Sequence, residues 1–389
     1  MSLKIVTFTD SYLPYNSGVV HSIETLMEEL SSWGHKILVC APRYPNCIEN
    51  SNIFRITSVP SPTDRDYYLA LPFSGRVNAI LKTINPDIIH VHHPFGLGWM
   101  GKKIARRLGI PVVYTCHTFY EFYNHYVPIN ASLANLIIRK VYKNFCNQCD
   151  TVIAPTAITR DYLRHLGVIT PVSVIPTGIK TEKFIFGEKG WLRKRYGIAP
   201  EEKILLCVGR LGKEKNMSFI IECFAAVNKE FPETKLVMVG KGPQKDELEC
   251  LAQDLGVREK VIFTGLLSKE EVIKCYRDSH LFVFASVSET QGLVVSEAKS
   301  AGLPIIAVKA NGVSEMVHDG VDGFLTKPSQ EAFLEKIMLL LENDDLRQQM
   351  SRKARENSKM LSSKNYAYKV LKVYLALVDG TKTGTAQSN

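Results

Sequence analysis

Two glutamates spaced eight positions apart, Glu289 and Glu297, are the residues of this chain best placed to do chemistry. Ahead of them Leu281-Phe-Val-Phe-Ala-Ser286 is a short apolar run of strand type, and Leu293 to Ala301 has helical composition closed by Gly302 and Pro304. The unit is therefore strand, turn, helix. The first backbone N–H groups of a helix have no intrahelical acceptor, so the amides of Gly292, Leu293 and Val294 are expected to hold an anion such as a phosphate. Glu289 precedes the helix and can reach a ligand lying over the turn. Glu297 sits more than a turn inside a mostly apolar helix and needs hydrogen-bond donors. Sugar hydroxyls are such donors, which suits Glu297 to a ribose and Glu289 to a hexose. Taken alone, the pair has a competing reading as one capping and one solvated glutamate.

In open α/β sheets ligands gather beyond the carboxyl ends of strands, which directs attention to the residues just past each apolar run. Val208-Gly-Arg-Leu-Gly-Lys-Glu-Lys-Asn216 leaves a strand and opens a helix, so Arg210 and Lys215 are placed to neutralise a pyrophosphate. Gly240 with Gly242, and Thr264 with Gly265, mark two further strand ends where main-chain groups can grip a nucleobase and its diphosphate. Neither matches the P-loop or the dinucleotide fingerprint, which argues against an ATPase or a dehydrogenase. In the first half the same positions hold Asp10, Tyr12, Gly18 before a helix, the set His90, His92 and His93, and His117. His117 reads either as a hydrogen-bonded core residue or as a contact to a substrate sugar. The histidine set resembles a metal cluster, but adjacent strand residues point to opposite faces and no carboxylate or thiol completes it. Cys146-Asn-Gln-Cys149 has no second pair for zinc, and Asp64-Arg-Asp66 lies in a Pro/Ser-rich loop and reads as surface charge. No metal and no cofactor is expected.

Strand-like runs alternate with helical segments throughout. The first series runs from Lys4–Thr9 through a helix at about His21–Trp33, then Lys36–Cys40, Ile53–Thr57, Asp87–Val91, Val112–Thr115 and Thr151–Ala154 to Val172–Ile175. The second runs from Lys203–Val208 through Lys235–Val239, Val261–Phe263 and Leu281–Phe284 to Pro304–Val308. Both have the pattern of a parallel sheet wrapped by helices, giving two doubly wound domains. Residues 179–190 are polar and read as the linker. The first domain is expected over 1–179, completed by a C-terminal helix over 364–378; the second over 180–363; and 379–389 as a disordered tail. At 389 residues, 45% hydrophobic and 22% charged, the chain can bury two cores. It shows no apolar run of membrane-spanning length and no signal-peptide pattern, which points to the cytoplasm. Nine cysteines, mostly in apolar segments, read as free thiols. The net charge of +9 is concentrated early: residues 102–180 hold ten basic and three acidic residues. Nucleic acid, an anionic membrane and solubility are all compatible with that charge.

Taken together, the E-x₇-E spacing, Val208-Gly-Arg-Leu with Glu214-Lys-Asn216, Gly240-Lys-Gly-Pro243 and Pro176-Thr-Gly-Ile179 resemble the retaining glycosyltransferases of GT-B architecture. That architecture is α/β, two Rossmann-like doubly wound domains facing a cleft. Ser288-Glu-Thr-Gln-Gly-Leu293, His117-Thr-Phe-Tyr-Glu-Phe-Tyr-Asn-His-Tyr126 and His92-His-Pro-Phe-Gly-Leu-Gly98 look most like bacterial diacylglycerol α-glucosyltransferases, which pass glucose from UDP-glucose to a membrane lipid. The resemblance covers about residues 1–378. It implies that Arg210 and Lys215 bind the donor diphosphate, Glu297 the ribose, Glu289 the donor sugar, and the amides from Gly292 to Val294 the phosphates and hexose. Gly240, Gly242, Thr264, Gly265 and Gln291 would complete the donor site. Gly18 would lie under the diphosphate, and His117 would touch the donor sugar near the reacting carbon. Asp10, Tyr12, Val19, His21, His93 and Tyr120 would face the acceptor. The chain has Ser17-Gly18-Val19 where relatives carry a double-glycine loop.

The lipid reading has its own physical support. Gly101–Leu108, with Lys102, Lys103, Arg106 and Arg107, and Leu133–Lys143, with Arg139, Lys140 and Lys143, are basic amphipathic segments suited to an anionic leaflet. At about 1 kcal/mol per basic residue near the surface, such charges hold an enzyme reversibly on the inner face of the membrane. The expectation is thus a peripheral-membrane retaining hexosyltransferase using a UDP-sugar donor and a lipid acceptor, with no nucleic-acid partner. Transfer from GDP-mannose, transfer to a soluble acceptor, and a basic nucleic-acid or sugar-binding module without turnover are the alternatives.

Overall fold

The computed structural model describes residues 2–47, 50–62, 66–71, 75–122, 130–187 and 189–386. Asp64 and Arg65 of the Asp-x-Asp stretch, and residues 123–126 of the His117 motif, lie outside them. The chain divides into two units, residues 1–178 with 363–389, and residues 179–362.

Unit one contains β1 (Lys4–Phe8), β2 (Lys36–Pro42), β3 (Ile53–Ile56), the antiparallel ribbon β4 (Ser58–Pro60) and β5 (Tyr68–Ala70), β6 (Ile88–Val91), β7 (Val112–Thr115), β8 (Thr151–Ala154) and β9 (Val172–Val174). Seven of these form a parallel sheet in the order β3-β2-β1-β6-β7-β8-β9. Alternation along β1 explains its two covered faces. Ile5 joins a core with Leu26, Leu30, Val370 and Tyr374, whereas Val6 and Phe8 join one with Ile89, Tyr114 and Phe145. Its helices are α1 (Gly18–Ser32), α2 (Gly75–Ile84), α3 (Gly96–Leu108), α4 (Ala131–Cys146) and α5 (Ala157–His165). Helix α1 starts three residues before the expected position because the Ser17 side chain accepts the Val20 N–H at 3.3 Å and caps it.

Unit two carries β10 (Lys203–Val208), β11 (Thr234–Val239), β12 (Val261–Gly265), β13 (Leu281–Phe284), β14 (Ile305–Val308) and β15 (Gly323–Thr326), a parallel sheet in the order β12-β11-β10-β13-β14-β15. Its helices are α6 (Glu182–Ile185), α7 (Trp191–Tyr196), α8 (Met217–Glu230), α9 (Lys245–Asp254), α10 (Lys269–Asp278), α11 (Leu293–Ala301), α12 (Val313–Met316), α13 (Gln330–Glu342) and α14 (Asp344–Ser358). The stretch read as a linker belongs to this unit, since Ile179 and Phe184 are buried in its core. The final helix α15 (Ser363–Ala386) returns to unit one, where Tyr366 and Tyr374 are buried. It runs eight residues past the expected end at Val378, because that segment contains no proline to block the helical ladder.

Candidate functional site

In unit two, two strand ends face each other. Strand β10 leads through Gly209–Gly212 into a 3₁₀ turn at Lys213–Lys215, and α8 starts after Asn216, a left-handed residue at φ 53°. Strand β13 leads into the loop 285–292. The Lys215 ammonium pairs with Oε1 of Glu289, the two side chains being 14% and 18% exposed. Ser286 Oγ lies 3.1 Å from the same carboxylate oxygen and 3.3 Å from the Glu214 carbonyl oxygen, so it ties the two loops together. Arg210 is on the same short loop as Lys215, half-buried. Gly292 adopts φ 83°, a conformation glycine takes at little cost. The first helical bond after it is donated by Val295 to the Gly292 carbonyl at 2.9 Å, which leaves the amides of Gly292, Leu293 and Val294 ahead of the ladder. Gln291 is buried in the loop before them. Arg210, Lys215, Glu289 and the start of α11 therefore all follow the carboxyl ends of two adjacent parallel strands, which gathers two cations and a helix N-terminus at one end of the sheet.

Gly240 and Gly242 do something the sequence did not reveal. A Cβ on Gly240 would meet the Gly209 carbonyl oxygen at 2.0 Å, and one on Gly242 would meet that of Leu211 at 2.3 Å. The loops lie backbone to backbone, with Leu211 N–H donating to the Lys241 carbonyl and Gln244 N–H to that of Leu211, both at 3.0 Å. These glycines thus seat the loop that carries Arg210. Gly265, at φ 71°, extends the arrangement by accepting the Gly240 N–H at 3.1 Å, and Thr264 Oγ1 lies 3.0 Å from the Gly265 carbonyl.

Glu297 is held differently from Glu289. The Tyr276 hydroxyl donates to it at 2.9 Å, a partner that sequence reasoning missed because Tyr276 lies on α10, 21 positions before Glu297 and on a different helix. Burial pushes the Glu297 carboxyl up to about 7, against the opposing pull of the Tyr276 hydrogen bond and the Lys269 charge. If Glu297 receives ribose hydroxyls, its carboxylate is the better acceptor, so affinity grows as pH rises through 7. Binding of such a ribose-bearing ligand is expected to strengthen about tenfold from pH 6 to pH 8. Calorimetric titration across that window checks this, and Glu297→Gln should flatten the profile.

In unit one, Asp10 follows β1 and accepts the Leu97 N–H at the start of α3 at 2.8 Å, while its own N–H donates to Nδ1 of His93 at 3.1 Å. Gly96 makes room, since a Cβ there would lie 2.8 Å from Asp10 Oδ1. Burial pushes the Asp10 carboxyl up to about 6, with the Leu97 hydrogen bond opposing. Asp10 and His93 are thereby brought together. Tyr12 departs from the expectation of an acceptor-facing residue: it is fully buried and its hydroxyl bonds Glu24. Its ring packs with Val19 and Val20 in the core, and the Arg55 guanidinium lies 5.4 Å from its centroid. Val19 is likewise a core residue, while Gly18 opens α1 and His21 is half-buried on the next turn. His117, half-buried past β7, has Nε2 2.8 Å from Nδ1 of His92. His90 is a core histidine, bonded to the Tyr374 hydroxyl at 2.6 Å and to Thr115 Oγ1 at 2.7 Å. Tyr120 packs edge-on against Phe95, centroids 4.9 Å apart. Among the described residues no group of three or more His, Cys, Asp or Glu is arranged to hold a metal ion. Cys146 and Cys149 are buried thiols.

The basic segments divide. Lys103, Arg106 and Arg107 are exposed on α3. Lys102 corrects the expectation of a surface charge, being 7% exposed with Nζ 3.3 Å from the Trp99 ring centroid and donating to Gln148 at 2.8 Å. The cause is helical spacing, which puts residue 102 on the same face as Trp99, three positions earlier. Burial pushes its ammonium down to about 8. On α4, Arg139, Lys140 and Lys143 are exposed, Arg139 in a two-bond pair with Glu121 at 2.9 and 3.2 Å. The same helix leaves Leu133, Leu136 and Ile137 uncovered, at 50%, 65% and 48% exposure. Among the described residues no helix is long and apolar enough to cross a membrane.

With this geometry in view, the comparisons with known proteins fall into place. Residues 16–183 match the family model described as Glycosyltransferase Family 4, and residues 189–357 the one described as Glycosyl transferases group 1. The chain is 35% identical over 381 residues to an alpha-monoglucosyldiacylglycerol synthase of Streptococcus pneumoniae (strain ATCC BAA-255 / R6), covering 96% of this chain and 86% of that protein. It is 28% identical over 391 residues to a protein of the same description from Acholeplasma laidlawii, covering 97% and 98%. Among solved structures it resembles Anabaena Alr3699/HepE in complex with UDP, with a TM-score of 0.79 and 19% identity over 96% of this chain and all of that one.

Proposed function

The chain belongs to the glycosyltransferases, family 4 in its first part and group 1 in its second, and on that premise we propose that it passes glucose from UDP-glucose to the free hydroxyl of diacylglycerol in a membrane, with the anomeric configuration retained and no metal ion required. The observation that carries this reading is the pairing of Lys215, on the loop after β10 that also holds Arg210, with Glu289, on the loop after β13 that leads into the α11 amides. When the bond from the anomeric carbon to the diphosphate oxygen breaks, negative charge collects on the leaving UDP. Two fixed cations and helix-end N–H groups receive that charge without reorganising. The departing phosphate oxygen takes the proton of the acceptor hydroxyl as the new glycosidic bond forms on the same face of the sugar. Glu289 orients the hexose hydroxyls and Glu297 the ribose. Gly240, Gly242, Thr264, Gly265 and Gln291 shape the nucleotide end, Gly18 lies by the diphosphate and His117 touches the donor sugar. Asp10, His93, His21 and Tyr120 serve the acceptor.

The membrane side of the reading is supported by α4, whose exposed Leu133, Leu136 and Ile137 lie among Arg139, Lys140 and Lys143, and by Lys103, Arg106 and Arg107 on α3. Apolar side chains flanked by cations suit insertion into the headgroup region of an anionic leaflet, here the cytoplasmic one.

The test is release of the nucleoside diphosphate, UDP from UDP-glucose, UDP-galactose and UDP-N-acetylglucosamine and GDP from GDP-mannose, with and without vesicles holding anionic phospholipid and diacylglycerol. Turnover is expected with UDP-glucose and diacylglycerol vesicles. Equal turnover on GDP-mannose, or on a water-soluble acceptor alone, overturns the reading. On the same vesicles, replacing Arg106 and Arg107 with glutamine removes about 2 kcal/mol of attraction, so sedimentation should show binding weakened about thirtyfold.

A further inference from the structure

Three imidazoles of unit one form a line leading from His117 into the interior. Nε2 of His117 lies 2.8 Å from Nδ1 of His92, with the rings 16° from parallel and their centroids 5.1 Å apart. His92 is 1% exposed and its centroid is 4.1 Å from that of His90, whose two nitrogens are both taken by hydroxyls. Burial first, and the neighbouring imidazoles second, hold His92 and His117 well below the ordinary histidine range, so both rings are neutral at physiological pH. Only one proton can then occupy the contact between them.

Which ring supplies that proton is decided on the far side of His92. Its Nε2 is buried with no hydrogen-bond partner. His92 lines a cavity of about 10 Å³ walled mainly by apolar side chains, among them Ile5, Ile23, Leu26 and Leu30, together with Thr7 and Tyr374, neither of whose hydroxyls reaches Nε2 and the second of which is bonded to His90. A proton on Nε2 would be an orphaned N–H among hydrocarbon side chains. A proton on Nδ1 would instead leave an unused lone pair there. Buried donors without acceptors are the rarer and costlier of the two defects. The proton therefore belongs on Nδ1 of His92, pointing at His117.

We propose that His92 is a positioning residue, which by donating its Nδ1 proton to Nε2 of His117 fixes that ring as its Nδ1–H tautomer and makes it a neutral hydrogen-bond donor to an oxygen of the sugar nucleotide. The catalytic half of this rests on the reading of His117 as a contact to the donor sugar. A free imidazole prefers the opposite tautomer, so without His92 the ring would present a lone pair where the ligand oxygen needs a proton. Second-partner control of a histidine tautomer is the same device that orients metal-bound and general-base imidazoles.

Nitrogen-15 NMR of the full-length protein reports which nitrogen carries the proton. In the unaltered protein His117 is expected to be protonated on Nδ1. In His92→Leu it should revert to Nε2–H, and kcat with UDP-glucose should fall about tenfold while KM for UDP-glucose changes less than twofold. His92→Asn, whose side-chain amide sits where Nδ1 was, should restore both the tautomer and most of kcat; His92→Gln, whose amide reaches toward the Nε2 position, should not. If His92→Leu does not fold, the contrast between Asn and Gln decides. Finding His117 as the Nε2–H form in the unaltered protein, or unchanged in His92→Leu, overturns the proposal. A tautomer that switches as stated while His92→Leu and His117→Ala both turn over at the original rate overturns only its catalytic half, and removes His117 from the sugar site.

Discussion

Lys215→Ala is expected to lower the rate of UDP-glucose turnover by about 10²- to 10³-fold, the cost of removing one fixed group that meets charge developing on a leaving group. Two effects add in the same direction. On the proposed reading the diphosphate loses one of its cations, and the Glu289 carboxylate, paired with that ammonium in this structure, is left beside an anionic donor. Lys215→Arg should recover part of the rate, because the charge returns with a different reach. The melting temperature should fall by a few degrees as well, since both side chains are largely buried and the carboxylate left behind keeps the Ser286 hydroxyl but loses its counter-charge. Turnover of Lys215→Ala at the original rate, measured by UDP release under saturating donor, would remove the cationic platform from the mechanism. Glu289→Ala is the companion measurement, separating a role on the hexose from a role in holding Lys215.

The largest effect on stability is expected at a place the sequence did not flag. Lys299, 1% exposed on α11, has Nζ 2.7 Å from Asp322 Oδ2 and 2.7 Å from the Met316 carbonyl oxygen. Asp322 is fully buried and also receives the His318 N–H at 2.9 Å and the Asn357 amide at 2.7 Å. Lys299→Ala should destabilise unit two by about 3–5 kcal/mol, because it strands a buried carboxylate whose remaining hydrogen bonds do not replace a full charge. The paired change Lys299→Met with Asp322→Leu should return most of that loss, since an apolar pair of similar size carries no desolvation penalty. Urea denaturation of the three proteins measures both numbers. A loss below 1 kcal/mol in Lys299→Ala would mean that the ion pair contributes nothing net.

The same residue shows what a sequence exposes and what it hides. Continuous apolar runs such as Leu281–Phe284 and Val112–Thr115 betray strands covered on both faces, so both parallel sheets were legible from hydrophobic pattern alone. Short or weakly apolar strands were not. Gly323–Thr326 begins with glycine at the sheet edge, and the ribbon β4–β5 depends on pairing across seven intervening residues. Lys299 reads as one more polar residue on a helix, because nothing local reports that Asp322 will arrive beneath it. Tyr276 is hidden from Glu297 in the same way, and Tyr374 from His90, 284 positions away. Residues on loops at strand ends, by contrast, announced themselves: Arg210, Lys215 and Glu289 lie together because the parallel order of β10 and β13 leaves little choice. Lys102 and Tyr12 were misread for one shared reason. Residue type suggests where a polar tip would go, but both are amphipathic, and helix phase or strand-end packing turned them inward.

The seven-stranded sheet is covered on one side by α1 together with α15, which the ribosome makes only after all of unit two. During synthesis, therefore, the amino-terminal portion exists as a half-roofed fold, with the site for Tyr366, Val370 and Tyr374 still open to water. Its insert can mature while the host waits. A stop immediately before residue 363 would leave unit two whole and unit one without the helix that carries Tyr366, Val370 and Tyr374.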